Sequence, residues 1–241
     1  MEFVVSKWRA WCSGISDQSD WQGWRRGEKQ LGGSSQADVS FLPAMQRRRL
    51  SPLAKAVFNT AFPLLQQEDI PLLLCSVHGE AMRTYSLLQG VAASEDLSPT
   101  AFGLSVHNAI AGQFSIACKT RSPAIALAGG DFPILSGFIE SFGLLQEGVE
   151  ELLLVFCEET LPEMYHSSAE SSTYICATAL RLAKHKSSDT DTKLSLTASK
   201  CARAESVFIE PDYQLPLIRS LIDGEGRISV AEGWELQINA C

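Results

Sequence analysis

Residues 97–156 read LSPTAFGLSVHNAIAGQFSIACKTRSPAIALAGGDFPILSGFIESFGLLQEGVEELLLVF, and the order of signals along them decides the fold. Ser98-Pro99-Thr100 is a helix start: a hydroxyl able to cap, then a proline whose missing N–H costs nothing in a first turn. Phe102, Val106, Ala109, Ile110, Phe114 and Ile116 follow at helical spacing and predict one helix running through Gly112-Gln113. Lys119-Thr120-Arg121 then turns the chain into Pro123-Ala-Ile-Ala-Leu-Ala128. Its small apolar residues predict a strand covered on both faces. Gly129-Gly130-Asp131 makes a corner, and Asp131 suits the N-cap of a helix over 132–147 that stops at Gly148. Glu151-Leu-Leu-Leu-Val-Phe156 is a second buried strand. This is a β–α–β unit.

Working outward, Phe3-Val-Val-Ser-Lys-Trp-Arg-Ala-Trp-Cys12 predicts an opening strand. Residues 13–38, rich in Gly, Ser, Gln and Trp, predict a long irregular loop. Its Trp21 and Trp24 either stack on a partner or tack the loop onto its own domain. A helix is expected over 47–67, capped at Ser51-Pro52, with Leu53, Val57, Phe58, Ala61 and Leu65 as its apolar stripe and Pro63 as a point of kinking or shortening. Ile70-Pro-Leu-Leu-Leu-Cys-Ser-Val77 predicts a buried strand, and 80–93 a helix. A polar loop is expected over 158–172, a strand over 173–182 and a charged turn over 184–192. Residues 193–199 alternate cleanly and are expected to pair with the preceding strand as a hairpin. A short helix over 216–222 and a terminal strand or hairpin over 227–238, around Trp234, complete the chain. No repeat or linker interrupts it. The expectation is a single α/β domain over 1–241, with a mixed sheet covered by helices.

Composition limits the functions to consider. The chain has 241 residues, 45% hydrophobic and 20% charged, enough for a sizeable core. Mean hydropathy is +0.02, and no uninterrupted apolar run is long enough to span a bilayer. Trp and Arg in the first twelve residues occupy the place of a signal peptide's apolar core, so the expected location is the cytoplasm. A net charge of −8 argues against nucleic acid as a partner. The charge is uneven: residues 131–170 hold nine acids and no Lys or Arg, whereas Arg47-Arg48-Arg49 is the densest basic cluster. Seven cysteines are scattered without a CxxC pair, and neither Cys nor His falls in zinc-ligand spacing. Cys75, Cys157 and Cys176 lie in apolar runs and read as reduced, buried thiols. Gly129-Gly130 and Gly224-Glu-Gly226 match no phosphate-binding loop, so no metal and no cofactor is expected.

The pattern Pro99…Asn108-x3-Gly112-Gln113-x-Ser115-Ile116…Ser122-Pro123 resembles the N-terminal half of the β-ketoacyl synthases, thiolase-like condensing enzymes of fatty acid and polyketide assembly. The closest resemblance is to short ketosynthase-like proteins, or chain length factors, of aryl polyene type pathways. Pro43-Ala-Met-x-Arg47-Arg48-Arg49-Leu50-Ser51 and Leu221…Gly224-Glu-Gly226…Trp234 resemble that short family as well. The resemblance implies half of a thiolase-like fold. It also implies a partner, a full-length ketosynthase subunit, and an acyl carrier protein with a phosphopantetheine-linked chain.

The family's condensation needs a nucleophilic Cys at a strand-to-helix corner, where helix N–H groups lower its pKa and hold an oxyanion, and two histidines from the second half. Counted from Ser122-Pro123, that corner position is Asp131 to within about a residue. No Cys stands between Cys118 and Cys157. A carboxylate cannot form the acyl thioester, so the expectation is a subunit that is not catalytic on its own. The resemblance further implies that 123–128 pairs across a dimer and that the helix after Pro99 lies against the partner. Phe102, Val106 and Ala109, expected on one helical face, and Phe132 are then candidates for the floor of an interfacial acyl tunnel; plain core packing is the alternative for each. Arg47, Arg48 and Arg49 are candidates for contact with phosphopantetheine or a carrier protein, against a solvated face or pairing with the acidic segment. Two further functional readings remain open. One is a self-standing acyltransferase or hydrolase using Cys157, with His166 nearby in sequence, or Ser105, in the near-elbow Gly103-Leu-Ser-Val-His107. The other is a structural homodimer without acyl ligand. His78 follows a strand end where α/β folds place ligands, and His185 is expected to be solvent-exposed.

Overall fold

The computed structural model describes residues 1–15, 17–65, 68–184, 194–200 and 211–240, with backbone only for 194–200 and 240. The elements in chain order are β1 (Glu2–Cys12), α1 (Asp20–Arg25), α2 (Ala44–Arg47), α3 (Pro52–Leu65), β2 (Leu72–Cys75), α4 (Ala81–Ala92), α5 (Pro99–Gly103), α6 (Ala109–Cys118), β3 (Ala124–Leu127), α7 (Pro133–Gln146), β4 (Glu151–Glu158), β5 (Cys176–Ala183), β6 (Leu194–Lys200), α8 (Gln214–Asp223), β7 (Gly226–Ala231) and β8 (Trp234–Ala240). The strands form one eight-stranded sheet in the order β3-β2-β4-β5-β1-β6-β8-β7. β2 runs parallel to both β3 and β4, and every other neighbouring pair is antiparallel. The expected mixed α/β sheet is present.

The sheet is covered on both faces, which explains why β4 reads as an unbroken apolar run. Leu152, Leu154 and Phe156 point toward α7 and α8, where Ile134, Phe138, Leu145, Leu217 and Leu221 complete one core. Leu153, Val155 and Cys157 point the opposite way, toward Leu53, Val57, Phe58 and Ala61 of α3 and Phe114 of α6. β5 is buried at every position for the same reason. A third, smaller core gathers Ala10, Cys12, Ile15, Trp21, Cys176 and Ile218.

Several local expectations hold. Ser98 Oγ accepts the Ala101 N–H and caps α5, and Ser51 Oγ accepts the Ala54 N–H and caps α3. Pro63 lies within α3, which continues to Leu65. The Trp pair tacks its loop down: Trp21 Nε1 donates to the Ala10 carbonyl at 2.8 Å, and the two indoles pack edge to face. A hairpin closes the chain between β7 and β8.

Other expectations are corrected. The helix expected across 99–116 is broken into α5 and α6. The Ser105 backbone N–H and hydroxyl both donate to the Phe102 carbonyl, closing a turn there. His107 is turned toward the end of β2, its Nε2 2.9 Å from the Ser76 carbonyl. The helix expected from Arg47 starts at Pro52, with the short α2 before it. β6 does not pair with β5: β1 lies between them, hydrogen-bonded to each. The N-cap of α7 is Phe132 rather than Asp131, with Pro133 in the first turn. The charged turn over 184–192, apart from its first residue, lies outside the described residues, as do His185, Cys201, Cys241 and the expected helix end at 66–67.

Candidate functional site

β3 was expected to be covered on both faces, yet it is the outermost strand. Ala124 is exposed and Ile125, Ala126 and Leu127 are half-buried. Among the described residues, no strand pairs with its outer side. Side-chain alternation sends Ile125 and Leu127 toward the α7 core. The neighbouring helices carry unusual surface. α4 buries none of its twelve residues, although Met82, Leu88 and Val91 are large and apolar. Phe102 on α5 is 62% exposed, Ile116 on α6 is 77% exposed, and Val106 and Phe132 are also open. α6 packs on β3, and α4 packs on α5. The β3 edge and these helices thus form one apolar flank. Isolated exposed apolar side chains are ordinary; a set this dense is a marker of an interaction site.

Of the candidate residues on this flank, Phe102, Val106 and Phe132 are exposed, whereas Ala109 is buried at the start of α6. The break after α5 means that Phe102, Val106 and Ala109 do not share one continuous helical face. Arg48 and Arg49 are exposed and Arg47 is half-buried. Arg83 Nη2 and Gln113 Nε2 both donate to the Arg49 carbonyl, so α4 and α6 fix the backbone of the triplet beside the apolar flank. Among the described residues, no carboxylate lies within salt-bridge distance of these three guanidinium groups.

At the corner after β3, backbone and side chains are tightly set. A Cβ on Gly129 would lie 2.5 Å from Pro133 Cα, so only glycine fits there. Gly130 has φ +55°, and Asp131 is exposed beside it. Beneath the corner lies the Cys75 thiol, which donates to the Pro133 carbonyl at 3.4 Å. Burial, and then the nearby Glu158 charge, push that thiol up to about 12, the opposite of what a nucleophile needs.

Over the C-terminal ends of β2 and β4 sit three buried carboxyl groups, Glu158 and Glu159 from the expected polar loop and Glu80 from the expected helix start. Glu158 accepts from Val77 N–H at 2.6 Å, Tyr213 Oη at 2.9 Å and Ser76 Oγ at 3.3 Å. Glu159 accepts the Met82 N–H at the start of α4. Glu80 accepts from Ser51 Oγ at 2.6 Å and from Arg83 Nε at 3.2 Å. Burial raises both Glu158 and Glu159 to about 7, although the hydrogen bonds they accept pull the other way. The trio ties the starts of α3, α4 and α8 to the sheet. Its one sequence signal is Glu158-Glu159 directly after a buried strand, at the end where parallel α/β sheets gather polar groups.

The alternative nucleophiles find no support in this geometry. Cys157 is fully buried on β4 within the α3-side core, and burial pushes its thiol well above the ordinary range. His166 is not directed at it: its Nε2 lies 2.8 Å from the Leu161 carbonyl. Ser105 Oγ is spent on the Phe102 carbonyl. His78 Nε2 lies 3.1 Å from the Glu170 carbonyl. Thr160 and residues 166–173, His166 and Glu170 among them, line an open groove of about 600 Å³. Among the described residues there is no cluster of three or more His, Cys, Asp or Glu fit to hold a metal, and no helix long and apolar enough to cross a membrane.

Comparison with known proteins agrees with this architecture. No protein of curated function matches the chain in sequence. Among solved structures, the chain is 25% identical to one in the complex "Ketosynthase (ApeO) in Complex with its Chain Length Factor (ApeC) from Xenorhabdus doucetiae", covering 99% of each chain with a TM-score of 0.78. The ishigamide ketosynthase/chain length factor matches with a TM-score of 0.65 at 14% identity, over 84% of this chain and 68% of that one. A ketosynthase from module 6 of the bacillaene synthase of Bacillus subtilis 168 matches with a TM-score of 0.54 at 10% identity, over 86% of this chain and 42% of that longer one. The family model described as beta-ketoacyl synthase, N-terminal domain, matches residues 21–233. With a thiolase-like sheet, the glycine corner ahead of α7 and that match over nearly the whole chain, the protein belongs to the β-ketoacyl synthase N-terminal domain family.

Proposed function

We propose that this chain is a non-catalytic, chain-length-factor-like subunit that pairs with a full ketosynthase in carrier-protein-based chain elongation of aryl polyene or fatty-acid type. The observation that carries the proposal is the apolar flank: an unpaired edge strand, β3, beside helices whose apolar side chains face outward. An unpaired strand edge is a template for strand addition, and obligate interfaces that bury about 2,000 Å² or more are rich in such surface. The match over 99% of both chains supports the reading, because that chain, equally short, belongs to a complex named as a ketosynthase with its chain length factor.

On this reading the partner supplies the nucleophile and histidines, while Asp131 stands at this chain's own corner. The exposed Asp131 carboxylate cannot carry an acyl thioester, and burial pushes the thiol nearest the corner, Cys75, up to about 12. Phe102, Val106 and Phe132 meet the partner at an interfacial acyl tunnel, with Ala109 behind them. Arg47, Arg48 and Arg49 contact the carrier protein or its phosphopantetheine. The subunit is a single domain that works in the cytoplasm without a cofactor.

Co-expression with the cognate ketosynthase, followed by size exclusion with mass determination, tests the proposal. The expected result is a one-to-one complex that is more soluble than the chain alone. A stable free monomer that ignores the ketosynthase would overturn it.

A further inference from the structure

The small third core holds two cysteines that are far apart in the sequence, Cys12 and Cys176. β1 ends at Cys12 and β5 begins at Cys176, and the antiparallel register sets these two residues directly opposite one another. The next rung outward, Ser13 N–H to the Ile175 carbonyl at 3.0 Å, is a hydrogen-bonded pair. Antiparallel rungs alternate, so Cys12 and Cys176 occupy a non-hydrogen-bonded rung, the kind with the closest side chains and Cα atoms about 4.5 Å apart. A disulfide needs a Cα separation of about 4.4–6.8 Å. Both thiols are free and buried beside Trp21 and Ile218, on the same face of the sheet. Among the described cysteines no other two are so placed: Cys75 and Cys157 face opposite sides of the sheet, and Cys118 lies on α6.

We propose that Cys12 and Cys176 form a reversible dithiol–disulfide site, oxidised by low-molecular-weight disulfides. One thiolate attacks the reagent disulfide, forming a mixed disulfide and releasing one reagent thiol. The second cysteine then attacks that mixed disulfide, closing Cys12 Sγ–Cys176 Sγ and releasing the second reagent thiol. The two cysteine protons leave on the two released thiols, and the two electrons reduce the reagent. Burial sets the pace, because the thiols react only when the site opens. The opening is small: only the Ser13–Ile175 rung lies beyond the pair, so the ends of β1 and β5 can part there without loss of the sheet. The disulfide would staple the N-terminal strand to β5 and fix the start of the loop that Trp21 anchors. In the reducing cytoplasm the site rests as a dithiol; under disulfide stress it becomes a cross-link.

The test treats the full chain, or its complex with the ketosynthase, with oxidised glutathione and maps disulfides by non-reducing peptide mass spectrometry. Expected is one linkage between the Cys12 and Cys176 peptides, reversed by a dithiol and absent from Cys12→Ser and Cys176→Ser. The oxidised protein should melt roughly 5–10 °C higher than the reduced one, since the bond closes a long loop. Cys12→Ala serves where a serine variant does not fold. Free thiols at both positions after denaturant-free oxidation, stable mixed disulfides at both, pairing with other cysteines, or a lower melting point on oxidation would each overturn the proposal.

Discussion

At the scale of single residues, the most unusual chemistry is the buried carboxyl trio, and Glu158 is its centre. Its ordinary pKa of 4.5 rises to about 7 in the fold through burial, and Glu159 behaves alike. The folded state therefore keeps protons that the unfolded chain releases. Stability is fully present below about pH 4.5, falls as pH rises toward 7, and is lower but flat above that. The cost of ionising each carboxyl is on the order of 3 kcal/mol. Glu80, Arg83 and Tyr213 face the same site, so part of that cost is shared among them. In Glu158→Gln, the amide oxygen still accepts from Val77 N–H while the charge is gone. Chemical denaturation from pH 5 to pH 8 should show a steep decline for the parent chain and a shallower one for the variant, with the variant gaining most at pH 8. Parallel curves would mean that Glu158 does not carry the pH dependence. The sequence places Glu158 at a strand end but does not announce its burial, which depends on Tyr213 and Val77, 55 and 81 residues away.

Secondary elements show what periodicity can and cannot determine. The long apolar run of β4 and the stripe of α3 were legible because burial on two faces or one face leaves a local pattern. β3 has nearly the same pattern as a central strand, yet it sits at the edge; its neighbour count is a property of topology, not of the run. The false β5–β6 hairpin has the same cause: adjacent alternating segments look like partners until β1, from the other end of the chain, enters between them. The break between α5 and α6 was hidden because apolar spacing continues through a turn that one serine hydroxyl helps to close. The edge position of β3 permits a clean test. Leu72 N–H and Ser76 N–H donate to the carbonyls of Pro123 and Leu127, so odd-numbered residues of β3 face β2 and the N–H of Ala126 points outward. Ala126→Pro removes only that outward donor. The isolated chain should lose less than about 1 kcal/mol by chemical denaturation. Association with the ketosynthase, measured by a titration, should weaken at least tenfold; undiminished affinity would show that the β3 edge is not part of the interface.

The whole molecule carries a net charge of −8, and its acids concentrate between residues 131 and 170. Such a field repels an acidic carrier protein at long range, so docking requires a local patch of the opposite sign. Arg48 and Arg49 are exposed, fixed at the backbone by Arg83 and Gln113, and adjacent to the apolar flank where the proposed partner binds. Their guanidinium groups have no ion-pair partner among the described residues, so they are free of the internal pairing that would compete with a carrier. Reversing both, as Arg48→Glu with Arg49→Glu, changes the local charge by four while leaving the buried Leu50 anchor and the Ser51 cap intact. The complex with the ketosynthase should form and melt as before, since exposed charges contribute little to folding. Binding of the acyl carrier protein, followed by surface plasmon resonance, should fall at least tenfold at low salt. The difference between parent and variant should shrink as ionic strength rises and the Debye length drops from about 30 Å to about 8 Å. Equal carrier affinity for both forms at low salt would assign docking to the partner subunit's surface instead.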